Sequence, residues 1–357
     1  MTFMILSGVL ILLSVLPFVQ HQHWVFRVPE FLKLQILVLQ VVVFVLWMVL
    51  GEWSPVFWIL QGGQFALMVY HVYILMRYTK FWRTKKIDSS GQVSDKVKVI
   101  SCNVYQFNTE HERFVQLVKD EHPDIVITME SNKDWERAMR VLEDDYPNHQ
   151  KITLENTYGM HFYTKLNVIR LQTHYFVADD VPSVEAELET ADGYRFLFFG
   201  VHPPPPSPTE EENSKERDGE LLSVAKRVRN QKLPVVVTGD FNNVAWARAS
   251  ILFKKTSELI DARIGRGILA TFHANYWFFR VPLDLFFHSP EVFIDRLLIY
   301  PSVGSDHFPM GCTFHLGKPA AQQEDVEHLE AEEQEEVDEL IVEGKTEESD
   351  NRDGSPG

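Results

Sequence analysis

The chain has 357 residues, of which 45% are hydrophobic and 24% are charged, and its formal net charge is −16. This length accommodates one sizeable domain with accessory segments. The charge is uneven, because 15 acidic residues lie between Glu324 and Asp353. The rest of the chain is only mildly acidic and has no excess of Lys and Arg that could follow a nucleic-acid backbone, which disfavours, without excluding, a role on long duplex DNA.

Three uncharged apolar runs occupy the N-terminal region, at about residues 3–19, 34–50 and 55–76. Each is long enough, at about 1.5 Å per residue, to cross a hydrocarbon core of about 30 Å. The runs therefore predict three transmembrane helices within residues 1–86. The alternatives are buried core helices or, for the first run, a cleaved signal peptide. Aromatic residues of the type found at membrane interfaces lie near the ends of the runs: Trp24, Trp47, Trp53, Trp58 and Tyr78.

The distribution of basic residues predicts an orientation. With three spans, the loop at residues 20–33 and the segment after Met76 lie on one side of the membrane, and they hold the Lys and Arg residues of this region. By the positive-inside rule, the N-terminus is predicted outside and the large domain in the cytoplasm. The basic run at 80–86 is predicted to contact anionic lipid headgroups, and the polar stretch at 87–96 to be a linker.

A globular domain is predicted for residues 97–316, because strand and helix patterns alternate there. Apolar runs predict strands at 97–103, 124–130, 158–164, 184–189, 195–202, 235–240 and 281–287, whereas helical spacing predicts helices at 110–121, 134–146 and 210–231. Since turn-linked strand pairs also occur, we expect a mixed α/β arrangement and not a simple parallel sheet.

Polar side chains suited to binding metal or phosphate follow the ends of these apolar runs. In Val235-Val-Val-Thr-Gly-Asp-Phe-Asn242, Asp240 and Asn242 are two residues apart and share one face of a strand. The whole set is Asn103, Glu130, His202, Asp240, Asn242, Asp306 and His307, with Asp284 inside a further hydrophobic strand. Because open sheets place their chemistry at strand ends, this set suggests a metal-dependent phosphate hydrolase.

These motifs, in this order, resemble the endonuclease/exonuclease/phosphatase superfamily, and within it a bacterial subgroup with N-terminal membrane helices. The resemblance covers roughly residues 97–316 and implies a deoxyribonuclease-like two-sheet α/β sandwich. One departure is Leu285, which follows Asp284; members of the subgroup often have His at this position. Fine substrate specificity is therefore not inferred from the resemblance. The matching elements are Asn103-Val, Thr128-Met-Glu130, Gly200-Val-His202, Gly239-Asp-Phe-Asn242, Leu283-Asp284 and Ser305-Asp-His307.

The resemblance implies a metal site. Glu130 would be the principal ligand, with Asn103 beside it, and Asp306 would bind the metal or order its water shell. Hard oxygen ligands with few nitrogens suit Mg²⁺ or Mn²⁺.

The resemblance also implies catalytic roles. Asp240 would accept or position the proton of the attacking water. Asn242 would donate to a phosphate oxygen, and His202 would donate to the phosphate or the leaving group. His307, oriented by Asp284, would contact the phosphate or act as base. Whether Asp240 or His307 is the base stays open, because the two can titrate as a coupled group.

The predicted function is membrane-anchored, metal-dependent hydrolysis of a phosphodiester or phosphomonoester, with membrane lipids and the phosphoester as partners. A lipid headgroup or a small phosphoester is favoured as substrate. A metal-dependent nuclease is one alternative, and a non-catalytic membrane scaffold is another.

Two further segments carry weaker predictions. His273 and the aromatic run Trp277-Phe-Phe279 are candidates for a substrate wall by the same resemblance. The tail at 317–357 is acidic and poor in aromatic residues, so it is predicted to be disordered, apart from a transient helix near 326–342.

Overall fold

The computed structural model describes residues 1–83, 89–207, 210–320 and 326–347. The α-helices of this part of the chain are α1 (Thr2–Val15), α2 (Trp24–Phe31), α3 (Lys33–Leu50), α4 (Pro55–Met76), α5 (His111–Glu121), α6 (Lys133–Met139), α7 (Lys215–Arg229), α8 (Arg248–Ser257) and α9 (Ala331–Thr346). The strands are β1 (Ser89–Val93), β2 (Val97–Asn103), β3 (Ile125–Met129), β4 (Asn148–Ile152), β5 (Met160–Thr164), β6 (Asn167–His174), β7 (Ser183–Glu189), β8 (Arg195–Val201), β9 (Val235–Asp240), β10 (Ile260–Asp261), β11 (Asp284–His288), β12 (Val292–Ile299) and β13 (Met310–Pro319).

Helices lie at all three predicted apolar runs and pack together as α1, α3 and α4. By length and composition α3 and α4 could cross a membrane. Helix α1 has 14 residues and continues only as a 3-10 turn to Phe18, so three membrane spans are not confirmed. Polar groups face the bundle interior, where Gln40 Nε2 donates to Ser14 Oγ at 2.9 Å. Apolar side chains such as Val49 and Ile59 are more than two-thirds exposed on its outside, at 73% and 72%.

Two mixed sheets form the body of the molecule, as predicted for a two-sheet α/β sandwich. The seven-stranded sheet has the order β1-β13-β2-β3-β5-β4, with β12 also paired to β13. The six-stranded sheet has the order β10-β11-β9-β8-β7-β6. In each sheet one pair is parallel, β2 with β3 and β8 with β9. The strands around these pairs are antiparallel, and antiparallel strands can be joined by short turns without a helix between them. Strand and helix patterns therefore do not simply alternate along the chain.

Three apolar layers hold the sandwich together. Between the sheets, side chains such as Ile127 and Phe198 are fully buried. Helices α5 and α6 pack on the outer face of the first sheet through Phe114 and Trp135, and α7 and α8 pack on the second sheet through Leu221 and Phe253. The β-branched run at the start of β9 is buried on both faces, which is why it lacks the alternation of a half-exposed strand.

Two segments, one predicted to be a linker and the other disordered, contain regular structure. Within the predicted linker 87–96, Ser89–Val93 forms β1 and pairs antiparallel with the end of β13, although the first part of this linker lies outside the described residues. In the predicted disordered tail, α9 is a regular helix with a capping box formed by Glu330 and Glu333. It is ordered because Val337 and Ile341 pack against Leu222 and Leu252, which supplies the apolar burial that an isolated acidic segment lacks.

The acidic face of α9 pairs with basic residues of α7 and α8. Glu333 accepts from Arg248 at 3.0 Å and from Lys255 at 2.8 Å, while Asp338 pairs with Lys226. These partners lie about eighty to one hundred positions away along the chain. Part of the negative charge of the tail is therefore paired with cations of the folded domain.

The N-terminal helices pack directly on the sandwich. The backbone N–H of Trp24 donates to Glu212 O at 3.0 Å, and that of Gly265 donates to Arg77 O at 2.9 Å. Trp246 Nε1 donates to the carbonyl of Glu30 at 2.8 Å. The two regions are thus joined by contacts at several separate places. The basic run predicted to contact lipid, 80–86, is described only as far as residue 83.

Candidate active site

The predicted site residues meet at one end of the sandwich. Asn103 ends β2, Asp240 ends β9, and Asp284 begins the antiparallel strand β11. Gly239 makes this approach possible, because a Cβ on it would lie 2.0 Å from Val201 O of the neighbouring strand. Its φ of +147° is also one that side-chain-bearing residues rarely adopt.

Glu130 and Asn103 form the first half of the site. Asn103 Nδ2 donates to Glu130 Oε1 at 2.8 Å and to Asp240 Oδ2 at 3.1 Å. The second oxygen of Glu130 accepts from the backbone N–H of Gln106 at 3.0 Å. Burial, and then the charge of Asp306, raises the pKa of Glu130 from 4.5 to about 8.

Asp240 lies at the centre of the second half. It forms an antiparallel Cα pair with Asp284, and its Oδ2 is 3.4 Å from His307 Nε2 and 3.8 Å from His202 Nε2. Burial lowers the pKa of His202 to about 4, so this imidazole is neutral. Its Nδ1 is buried without a hydrogen-bond partner among the described residues.

His307 is held between two carboxylates. Its Nδ1 is 2.8 Å from Asp284 Oδ2, and its Nε2 faces Asp240. Burial alone would lower the pKa of His307, but the charges of Asp240 and Asp284 outweigh that effect and raise it to about 10. Without a bound cation the ring is therefore protonated at neutral pH and carries a hydrogen on both nitrogens.

Asn242 and Asp306 complete the predicted set. The backbone N–H of Asn242 donates to Asp240 Oδ1 at 2.9 Å, and its side-chain Nδ2 donates one hydrogen to Pro203 O at 2.9 Å. Only its second amide hydrogen remains for a phosphate. Ser305 Oγ donates to Asn103 O at 2.8 Å and lies 3.3 Å from Asp306 Oδ1, which fixes Asp306 on the Glu130 side of the site. All eight predicted residues are thus brought together.

Two of these residues have strained backbones. Glu130 has a φ of 60° and Asn242 a φ of 47°, both in the left-handed region. Residues other than glycine adopt this region at a cost, and such conformations concentrate at functional sites. Both follow strands of fully buried residues, so the strain turns their side chains toward the rim of the sheets.

The donor set fits a hard divalent cation. Among the described residues no group of three or more His, Cys, Asp and Glu side chains is arranged to hold a metal. Mg²⁺ does not require one, because it is usually held by one or two carboxylates, with water and substrate phosphates completing its shell. Glu130 and Asp306 supply two such carboxylates, and their repulsion, expressed in the raised pKa of Glu130, is what a cation would relieve.

Sequence reasoning missed two residues that support the site. Arg217 of α7 is buried, forms an ion pair with Asp218 at 2.7 Å and donates to Asn242 O at 3.1 Å. Gln106 holds the Glu130 turn and donates from Nε2 to Glu155 O at 2.9 Å. Arg217 lies in a stretch of mixed charge that predicts only a solvated helix. Gln106 follows the strand of Asn103 by three positions, which is the only signal that could have identified it.

Comparison with known proteins identifies the family of this chain. The model of the Endonuclease/Exonuclease/phosphatase family matches residues 100–307. No curated protein matches the chain.

Solved structures with a similar fold include D. rerio TDP2 complexed with single strand DNA product, with a TM-score of 0.52, 16% identity, 62% of this chain and 99% of that chain covered. A conserved protein of unknown function from Enterococcus faecalis V583 has a TM-score of 0.51 at 13% identity, with 61% of this chain and 99% of that chain covered. At such identities these likenesses concern the fold alone.

The family model and the two-sheet sandwich together define the class of protein to which the chain belongs. This chain belongs to the endonuclease/exonuclease/phosphatase family, whose members hydrolyse phosphoester bonds.

Proposed function

We propose that this chain is a membrane-anchored phosphoesterase that requires Mg²⁺ or Mn²⁺ and hydrolyses the phosphodiester or phosphomonoester of a lipid headgroup or a small phosphoester. One observation carries the proposal: Asn103 links Glu130 to Asp240 by hydrogen bonds at the mouth of the sandwich, beside His307, which lies between Asp240 and Asp284. A divalent cation held by Glu130, Asp306 and Asn103 would neutralise charge on the phosphoryl oxygens.

The charge of His307 favours Asp240 as the base. A protonated His307 cannot accept the proton of a water, but it can donate to a phosphate oxygen. Asp240 Oδ2 accepts from Asn103 Nδ2 and faces both imidazoles. A water bound next to this oxygen would therefore have Asp240 as the acceptor of its proton. Asp284 acts as a positioning residue, because it contacts His307 and lies at the start of a strand behind it.

The exposed apolar faces of the N-terminal helices support membrane anchoring. Side chains such as Val49 and Ile59 are mostly exposed on the outside of the bundle in the part of the chain that the structure describes, and large apolar patches of this kind mark a contact with an apolar partner or a membrane. The basic residues Arg27, Lys33, Arg77 and Lys80 lie at the end of this bundle that faces the sandwich, which supports a cytoplasmic catalytic domain.

A substrate screen tests the proposed function. The full-length protein in lipid nanodiscs is assayed against phospholipids, soluble phosphoesters, plasmid DNA and RNA, with Mg²⁺, Mn²⁺ or EDTA. We expect metal-dependent hydrolysis that Glu130→Gln lowers at least about 100-fold. Glu112→Gln, an exposed change on α5, serves as the matched control and leaves turnover unchanged.

The alternatives have distinct outcomes. Hydrolysis of DNA or RNA, with no phospholipid or small phosphoester turned over, would show that the enzyme is a nuclease and would overturn the proposed substrate class. Absence of both hydrolysis and Mn²⁺ binding would overturn the enzyme assignment in favour of a membrane scaffold.

A further inference from the structure

An exposed aromatic loop lies between the active site and the N-terminal helices. The loop at residues 274–280 contains four consecutive aromatic side chains, Tyr276 to Phe279, and Trp277 is 79% exposed and Phe278 60% exposed. Runs of large exposed aromatic side chains are unusual on a water-facing surface and mark a contact with an apolar partner. We call this segment the aromatic loop.

The base of the aromatic loop forms part of the catalytic site. The backbone N–H of Ala274 donates to Asp306 O at 2.6 Å. Two residues earlier, the ring of Phe272 lies 4.9 Å from the ring of His307. The loop therefore rises directly from the wall of the site, and whatever it contacts is brought close to the catalytic groups.

The other end of the aromatic loop lies against the first turns of α3. Gln35 Nε2 donates to Arg280 O at 2.9 Å. Next along the chain, Val281 and Leu283 belong to an apolar cluster that also includes Leu34 and Leu37 of α3. Because the apolar run of α3 begins at Leu34, the loop lies at the level where this helix would enter a bilayer.

The chemistry of the loop suits that level. Aromatic rings favour the boundary between headgroups and hydrocarbon. The loop ends in the exposed Arg280. Cations at this level attract anionic headgroups. The loop lies at the start of a membrane helix. The lipid surface must lie at this level, whereas a protein partner need not, so the position favours lipid as the partner.

We propose that the aromatic loop inserts into the bilayer surface beside α3 and that the substrate is a phosphoester lipid of the same membrane, whose headgroup reaches the site along this loop. This inference rests on the proposed function and narrows its substrate class. The lipid phosphate and the catalytic residues would then lie at the same depth, so the lipid need not leave the bilayer.

A label on the loop tests the membrane contact without any assay of activity. Cys102 and Cys312 are buried, so in Trp277→Cys the introduced thiol is the accessible one for a nitrobenzoxadiazole label. Tyr175→Cys is the matched control, because Tyr175 is 48% exposed and follows β6, at the opposite edge of the six-stranded sheet from β10 and β11.

Full-length proteins are studied in nanodiscs of phosphatidylcholine and phosphatidylglycerol that carry lipids spin-labelled near the headgroup. We expect quenching at position 277 to be at least about twice that at position 175, because such quenching requires contact with the interface. Equal quenching at the two positions overturns the membrane contact.

Turnover tests the substrate class. We expect the double change Trp277→Ser with Phe278→Ser to lower the ratio of phospholipid to soluble nitrophenyl phosphoester turnover at least about 10-fold, since it removes interfacial contacts. Tyr175→Ser leaves that ratio unchanged. Hydrolysis of the soluble ester but of no phospholipid by the unaltered protein overturns the lipid substrate. Hydrolysis of neither compound, with the label at 277 quenched, overturns the proposed function while the membrane contact stands.

Discussion

Asp284 and Asp240 lie opposite each other on adjacent antiparallel strands, and His307 bridges their side chains. Its Nδ1 is 2.8 Å from Asp284 and its Nε2 is 3.4 Å from Asp240. One carboxylate therefore fixes the orientation of the ring, while the other faces the space where a phosphate would bind. Both carboxylates favour the protonated form of the ring.

Replacing Asp284 should change both turnover and its pH dependence. Asp284→Asn removes the charge that orients and protonates His307, so we expect turnover to fall about 100- to 10,000-fold. The pKa of His307, followed by NMR, should fall, because burial lowers it and the charge of Asp284 no longer opposes that effect. A purely structural role for Asp284 would leave the His307 titration where it is in the unaltered protein.

Metal binding should be linked to the proton of Glu130. Because burial and Asp306 raise the pKa of Glu130 to about 8, the cation must displace a proton below that pH. We expect the affinity for Mn²⁺, measured by calorimetry, to rise about 10-fold per unit between pH 6 and 8 and to level off above. Glu130→Gln should weaken binding and flatten this dependence. An affinity independent of pH in the unaltered protein would contradict the assignment.

Stability should also depend on a carboxyl group outside the site. Glu220 on α7 is buried and accepts from Ser183 Oγ at 2.7 Å, and burial raises its pKa from 4.5 to about 7. The folded protein thus holds a proton that the unfolded chain releases above about pH 4.5. The contribution of Glu220 to the free energy of unfolding is fully present below pH 4.5 and is lost as the pH rises to 7.

Glu220→Gln should therefore stabilise the protein at pH 8 but not at pH 4.5. The difference in the free energy of unfolding between the two pH values should reach about 3 kcal/mol, and thermal unfolding in detergent measures its direction. Glu112→Gln, on the surface, is the control. An equal effect of Glu220→Gln at both pH values would refute the linkage.

The docked helix α9 should detach when its apolar face is disrupted. Val337 is fully buried against α7 and α8, whereas Val342 is 61% exposed on the same helix. A carboxylate at the buried position costs several kcal/mol, and a detached 16-residue helix is marginal in water. We expect Val337→Asp to raise amide exchange across 331–346 and Val342→Asp to leave it unchanged. Similar exchange in both variants would show that packing does not order this helix.

Local patterns identified most of the fold and the site. Polar residues at the ends of buried strands, such as Asn103 and Asp240, can be recognised in the sequence, because packing alone seldom requires a polar residue at such a position. Arg217 could not be found in this way, since its role depends on a carbonyl 25 positions away. For α9 the heptad-like spacing of Val337, Leu340 and Ile341 indicates a helix, but the cations that order it belong to distant segments. Charge density alone therefore overestimated disorder.

The way the N-terminal helices are fastened has a further consequence. Hydrogen bonds at Trp24, Trp246 and Gly265 join the sandwich to α2 and to the end of α4, so these contacts hold the sandwich close to the helices. If the helices lie in a bilayer and the substrate is a lipid, as proposed, encounter is two-dimensional: the lipid arrives by lateral diffusion within one leaflet, and the rate follows its surface density and not its bulk concentration.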